Sequence, residues 1–431
     1  MVICLSIFAI LLLLIIIGVP VAVSIGLASL SCIFIFDLGV PLTLLPSQTF
    51  SGVDSFPLMA IPFFIFAGEL MNKAGITKRI LDLAEAIVGS LKGGLTYVNV
   101  LAAMMMASIS GSGTACAAAL GVSLIPDMEK RGYSKEYAIS LTSCANVVGP
   151  IIPPSTLLIL FGYYTNTSVS RLFIGGVVPG IIIGLALMVV GRFICIKKGF
   201  RQETEPFSWN KLLSALKHGW TALLLPAFTF IAIVLGWSTA SEAGALLCLL
   251  SLILGFAYRT IRSVGDILEV ARNAAHSTCT IFTLLAISGI FSNVLVRAHF
   301  QELVVDIMAS IASTQLATML IIIAFIFILG MFVDVTPMVI MFSATFTAVA
   351  ANVGIDPVHF GLIFVIICMI GAVTPPVGGI LFVTTTIGKI SMTKIIPQLI
   401  PFLITLLIVT ILVILFPPLV TSLPNLLLGA A

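Results

Sequence analysis

Ser108-Ile109-Ser110-Gly111-Ser112-Gly113-Thr114-Ala115, followed further on by Val148-Gly149-Pro150-Ile151-Ile152-Pro153-Pro154-Ser155, is the stretch on which the reading of the fold turns. The first run is a turn of glycine and hydroxyl residues between two apolar arms, at 94–109 and 114–129. Each arm gives about 15 residues, or about 23 Å of helix, short of the roughly 30 Å of hydrocarbon that a full span crosses. Two short arms joined by such a turn read as a re-entrant hairpin that enters the membrane and leaves by the same side. The second run interrupts an apolar segment with glycine and three prolines, and reads as a discontinuous helix.

The pattern recurs. An offset of 222 residues carries Pro153-Pro154 onto Pro375-Pro376, Gly149 onto Gly371, Gly132 onto Gly354, Thr114 onto Thr336 and Pro179 onto Pro401. The second turn is then Gly330-Met331-Phe332-Val333-Asp334-Val335-Thr336-Pro337, and the second broken helix runs through Ile370-Gly371-Ala372-Val373-Thr374-Pro375-Pro376. Interrupted hydrophobic segments at matching places in two halves point to a transporter's binding site. The competing reading is a shared helix-packing scaffold in which Gly and Pro are only kinks.

Composition sets the class. The 431 residues are 60% hydrophobic and only 9% charged, with a mean hydropathy of +1.25. A soluble domain carries about a quarter charged residues, so the chain reads as an all-α polytopic membrane protein in a lipid bilayer. The formal charge of +3 comes without any basic patch interleaved with aromatics, so no nucleic acid is expected. The eight cysteines stand singly in apolar segments and the four histidines are isolated, a pattern of buried hydrophobes rather than of a metal site or a disulfide framework. Met1-Val2-Ile3-Cys4 has no Lys or Arg before its apolar run, so that run reads as the first membrane helix rather than a cleaved signal.

Taken in order, Gly18-Val19-Pro20 divides residues 2–36 into two helices, a polar connection fills 37–55, and a third span covers 56–72. Residues 76–92 place Ile76, Ile80, Leu83, Ile87 and Leu91 opposite Lys78, Arg79, Asp82 and Glu85. This is an amphipathic helix, lying at the membrane surface or docked on the protein. The chain divides into scaffold helices and a surface arm (1–93), a first hairpin and broken helix (94–170), further scaffold helices with a cytoplasmic linker at 197–217 and a second arm at 301–313 (171–315), a second hairpin and broken helix (316–390), and a last span with its tail (391–431). Lys and Arg gather in connections that fall on one side, which should be cytoplasmic. Each half then has five full crossings, so the second half is inserted upside down and the N-terminus is outside.

Non-helical backbone at membrane depth is tolerable only inside protein or beside a cavity. Its freed carbonyls, together with hydroxyl oxygens, suit a hard monovalent cation such as Na⁺, and helix N-termini aimed at the same place favour an anion. A first Na⁺ site is expected from Ser110, Ser112 and Thr114 with carbonyls around Asn146, Gly149 and Pro150. A second is expected from Gly330, Asp334 and Thr336 with carbonyls around Gly371 and Thr374. Asp334 carries an intramembrane carboxylate that costs roughly 2.5–3.5 kcal/mol on insertion scales. A bound cation offsets that cost, and so does a cap on the next helix; the two roles are compatible. Glu69 is expected to pair with a lysine of the neighbouring surface helix. No nucleophile–base pair, metal-ligand cluster or phosphate loop stands out, so no enzyme activity and no cofactor beyond the coupling ion is expected.

Several segments resemble the large membrane subunit of tripartite ATP-independent periplasmic (TRAP) transporters, the DctM family. They are Ile61-Pro62-Phe63-Phe64-Ile65-Phe66-Ala67-Gly68-Glu69-Leu70-Met71-Asn72, Ser110-Gly111-Ser112, Gly149-Pro150-Ile151-Ile152-Pro153-Pro154-Ser155, Asp356-Pro357-Val358-His359-Phe360-Gly361 and Thr374-Pro375-Pro376-Val377-Gly378. The resemblance implies an elevator-type importer in the bacterial or archaeal inner membrane, coupled to Na⁺. It implies as partners a small four-helix membrane subunit and a periplasmic substrate-binding protein that delivers a small organic acid. The substrate pocket is then expected at Ser112, Cys116, Ser155, Asn166 and Gly378. The alternatives are a self-sufficient Na⁺/dicarboxylate carrier of the same plan and, from another class, an intramembrane enzyme or a channel.

Overall fold

The computed structural model describes residues 2–41, 43–200, 207–300, 302–304 and 314–429, apart from the side chains of Ser108 and Ser110. Every regular element among them is a helix. The first half runs α1 (Val2–Ile16), α2 (Val21–Ile35), α3 (Leu44–Ser51), α4 (Ala60–Lys73), α5 (Ile76–Val88), α6 (Gly94–Ser110), α7 (Gly113–Lys130), α8 (Lys135–Ala145), α9 (Thr156–Thr165) and α10 (Val169–Lys198). The second runs α11 (Trp209–Val234), α12 (Ala240–Ala257), α13 (Val264–Arg297), α14 (Gln315–Gly330), α15 (Val335–Asn352), α16 (Pro357–Gly371), α17 (Gly379–Gly388), α18 (Met392–Leu415) and α19 (Pro418–Leu428). Six described helices are long and apolar enough to cross a membrane, and a bent pair, Leu44–Ser51 with Phe56–Lys73, passes the same test at 58°.

The helices start where short polar side chains can take up the orphan N–H groups of a first turn. Ser134 accepts from Tyr137 N at 3.4 Å, Ser155 from Leu158 N at 3.2 Å, and Asp356 from the N–H groups of Val358 and His359 at 2.9 Å each. Glu242 closes a reciprocal capping box with Thr239 at the start of α12. The 222-residue offset survives in the elements, since it carries Gly113 and Lys130, the ends of α7, onto Val335 and Asn352, the ends of α15. The Pro153-Pro154 and Pro375-Pro376 bonds are both cis.

The two halves interlock at the centre. α7 packs on α17, and its counterpart α15 packs on α9. α16 is buried from Val358 to Gly371, and α8 from Tyr137 to Ala145. On the outside, α10 exposes Ile181, Leu185, Val189, Phe193 and Ile196, an apolar stripe suited to lipid. α5 buries Ile76, Ile80, Leu83 and Ala84 against the neighbouring α6 and α11, so the amphipathic helix docks on protein.

Two features depart from the expectations, and a third expectation falls on undescribed residues. The connection at 37–55 contains α3, held on α13 by close backbone approach: a Cβ on Gly52 would stand 3.1 Å from Leu285 O, and one on Gly289 2.8 Å from Gln48 O. A further helix, α19, follows the last span and packs on α10, with the Arg171 guanidinium donating to Asn425 Oδ1 at 3.0 Å. The surface arm expected at 301–313 lies, apart from 302–304, outside the described residues.

Candidate functional site

α6 ends at Ser110, Gly111 turns the chain in the left-handed region at φ +58°, and Ser112 begins α7 as its N-cap. The Ser112 hydroxyl accepts from Ala115 N at 3.4 Å and lies 3.1 Å from the Thr114 hydroxyl. The tip is seated on the first broken helix, because Thr156 Oγ1 donates to Gly111 O at 3.2 Å. A Cβ on Gly113 would stand 3.0 Å from Asn146 O, and one on Gly149 3.1 Å from the same oxygen and 3.3 Å from Gly113 Cα. Only glycine permits that approach.

Asn146 is fully buried. Its side-chain nitrogen donates to Thr142 O at 2.7 Å, while its Oδ1 is buried without a hydrogen-bond partner. A buried acceptor left unsatisfied costs about 1–3 kcal/mol. Of the residues expected at the first site, Asn146 and Gly149 meet the backbone of Gly113 beside Ser112 and Thr114, and the Ser110 side chain lies outside what is described.

The second tip is built by the same means with different atoms. α14 ends at Gly330, which touches Gly371 backbone to backbone: a Cβ on Gly371 would lie 2.7 Å from Gly330 C and 2.8 Å from its O. Val377 N donates to Met331 O at 3.3 Å. Asp334 is the N-cap of α15, yet its side chain makes no capping hydrogen bond. Its Oδ1 lies beside Gly379, 3.4 Å from where a Cβ there would be, at the start of α17. The Thr374 hydroxyl is engaged by Ile370 O at 2.6 Å. Gly378 holds the left-handed region at φ +47° and caps α17.

Both tips open on one cavity of about 460 Å³. Ser112 and Thr114 reach it from the first hairpin, Asp334 and Thr336 from the second, and Pro150 and Thr156 from the first broken helix. Glu69 and Asn72 on α4, and Ser277 and Ile281 on α13, also line it. A second cavity, of about 710 Å³, shares Asn72, Ala118 and Ala119 with the first and runs along α7 to Asp127, past Lys78 and Asp82.

The other residues expected at the pocket are not among those lining this cavity. Cys116 is buried within α7 and Ser155 is buried with its hydroxyl capping α9. Asn166 is exposed at the other end of α9, where it terminates the helix at φ +54°. The pairing expected between Glu69 and a lysine of the surface helix, α5, is corrected: no such pair forms among the described residues, and Lys73, at the end of Glu69's own helix, pairs instead with Asp266 at 3.3 Å and Glu269 at 2.7 Å. Glu69 faces the cavity with no hydrogen bond or ion pair among the described residues. The i, i+3 spacing of Glu69 and Asn72 is the one signal in the sequence that sets both on one face of α4.

The pattern of hairpins and broken helices around one cavity agrees with a comparison at the level of sequence. The family model of the tripartite ATP-independent periplasmic transporter, DctM component, matches residues 8–419. The chain belongs to the DctM family. It is 33% identical over 382 residues to the sialic acid TRAP transporter large permease protein SiaM of Vibrio cholerae, covering 89% of each chain. It is 31% identical over 432 residues to the C4-dicarboxylate TRAP transporter large permease protein DctM of the same organism, covering 95% of each. Among solved structures it resembles the YdaH transporter of Alcanivorax borkumensis, with a TM-score of 0.63, 13% identity and coverage of 86% of this chain and 87% of that one. That likeness concerns the fold. This TRAP large permease is a polytopic membrane protein.

Proposed function

We propose that the chain imports an organic acid across the inner membrane, driven by Na⁺, as the large permease of a three-part transporter. One observation carries the reading: the two hairpin tips, with Ser112 and Thr114 on one and Asp334 and Thr336 on the other, share a single cavity. Oxygen donors at both tips suit two Na⁺ ions. Helix N-termini converging on the same space favour the carboxylate of the substrate. The names of the relatives, which concern sialic acid and C4-dicarboxylates, support an organic acid as the class of substrate.

The hairpins and broken helices form the moving unit and the spans around them the fixed one, in an elevator motion built on two inverted repeats. The cavity continues toward Lys78, Asp82 and Asp127. Lys78 belongs to one of the Lys- and Arg-bearing connections assigned to the cytoplasm, so this state releases substrate to the cytoplasm. A small four-helix membrane subunit braces the scaffold, and a periplasmic binding protein delivers the substrate to the opposite face.

Vesicle reconstitution tests this. Concentrative uptake is expected only with Na⁺ outside and with the chain, the small subunit and the loaded binding protein all present. Concentrative uptake of free substrate by the chain alone, unaffected by the other two, would favour the self-sufficient carrier. Uptake driven equally well by a proton gradient without Na⁺ would remove the ion.

A further inference from the structure

Resting on the division into moving and fixed units above, we infer that Tyr164 and Ser288 hold the cavity shut on its periplasmic side in this state. Their counterparts in the repeat, Thr386 and Phe66, shut the cytoplasmic side once the moving unit has travelled outward. Leu157 of α9 and Ile281 of α13 line the cavity. Seven residues further along each helix, two turns or about 10 Å toward the periplasm, stand Tyr164 and Ser288. Their hydroxyl oxygens are 3.3 Å apart. Ser288 gives its own proton to Leu285 O at 2.8 Å, so Tyr164 donates and Ser288 accepts. A single hydrogen bond thus ties α9, in the moving unit, to α13, in the fixed one. A second contact between the units accompanies it: Phe342 of α15 stacks on Phe8 of α1, with 5.8 Å between ring centres and 21° between planes.

The repeat supplies the matching pair. The 222-residue offset carries Tyr164 of α9 onto Thr386 of α17, and Phe66 of α4 onto Ser288 of α13. Because the second half is inverted, Thr386 and Phe66 belong to the cytoplasmic side of the cavity. Thr386 is exposed, and its hydroxyl donates to Phe382 O of its own helix at 2.8 Å. Phe66 packs against Leu70, Ile261 and Val270. The outer pair is joined while Thr386 stands uncovered, the asymmetry expected when one side of the cavity is shut and the other open. A contact made in one state alone biases the equilibrium by its own differential free energy.

The test uses the full-length chain, cleared of its cysteines, in lipid nanodiscs. Spin labels on Lys130→Cys of the moving unit and Val264→Cys of the fixed unit report the two positions by pulsed EPR, without substrate. Tyr164→Phe and Ser288→Ala are each expected to lower the ratio of inward-open to outward-open chains about threefold, the scale of one neutral hydrogen bond. The double variant should lower it no further, because both changes remove the same bond. In an unlabelled chain carrying Tyr164→Cys with Ser288→Cys and Phe66→Cys with Thr386→Cys, mercuric ion should bridge one pair or the other in a given molecule, never both. Unchanged ratios in both single variants would overturn the outer closure. Bridging of the outer pair alone, even after prolonged exposure, would overturn its inner counterpart. Both pairs bridged in one molecule, with a single label distance in every chain, would overturn the division into moving and fixed units beneath the inference.

Discussion

Gly330 and Gly371 meet backbone to backbone where the second hairpin tip rests on the second broken helix, with 2.7 Å between a Cβ built on Gly371 and the carbonyl carbon of Gly330. No side chain fits between them without moving the tip. Gly371→Ala is therefore expected to destabilise the protein by about 1–3 kcal/mol, the usual cost of overpacking. It should also weaken Na⁺ binding, because the tip holds Asp334 and Thr336. Gly265→Ala, whose Cβ would meet only Ser263 Oγ at 3.4 Å, is the matched control. Equal thermal denaturation midpoints for the two variants would contradict the close approach.

Asp334 and Ser112 are related by the same 222-residue offset, and each is the N-cap of a second hairpin arm. Only Ser112 caps with its side chain. Ser112→Ala should thus cost about 0.5–2 kcal/mol without Na⁺. Asp334→Ala should change Na⁺-free stability by less than about 0.5 kcal/mol, while abolishing the part of the thermal stabilisation by Na⁺ that comes from the second tip. A Na⁺-free loss as large for Asp334→Ala as for Ser112→Ala would make Asp334 a cap and not a cation ligand.

Asp356 supplies one carboxylate oxygen to two N–H groups at the start of α16, far along the chain from either tip. Asp356→Ala should lower stability by about 1 kcal/mol. The apparent Na⁺ affinity, measured from the Na⁺ dependence of substrate binding, should remain that of the wild-type chain. A Na⁺ shift comparable to that of Asp334→Ala would tie this cap to the ion site.

The inverted repeat predicts opposite faces for the connections after the two hairpins. In a variant cleared of its eight cysteines, Ser134→Cys should react with an impermeant thiol reagent only from the cytoplasm, and Asn352→Cys only from the periplasm. Labelling of both from the same side would rule out the inversion.

Much of the helical plan is local and was legible in the residues. The break at Gly18-Val19-Pro20 separates α1 from α2, and Ser134 and Asp356-Pro357 start α8 and α16, because capping and proline act within a turn of where they stand. The glycines and prolines of the broken helices are likewise visible, since they interrupt hydrogen bonding in their own segment. α3 was not legible: a short stretch containing Pro46 is a weak helix former alone, and its stability comes from packing on α13 across Gly52 and Gly289.

By itself the sequence determined the class, the succession of helices and the two tips, because hydropathy, periodicity and capping depend on neighbours along the chain. The tertiary structure decided what those tips face. That Ser112 and Asp334 open on one cavity, that α7 packs on α17 and α15 on α9, and that Glu69 meets that cavity while Lys73 turns to Asp266 and Glu269, are contacts between distant segments. Helical spacing names the residues that share a face, but only the packing of one helix on another fixes which neighbour that face meets.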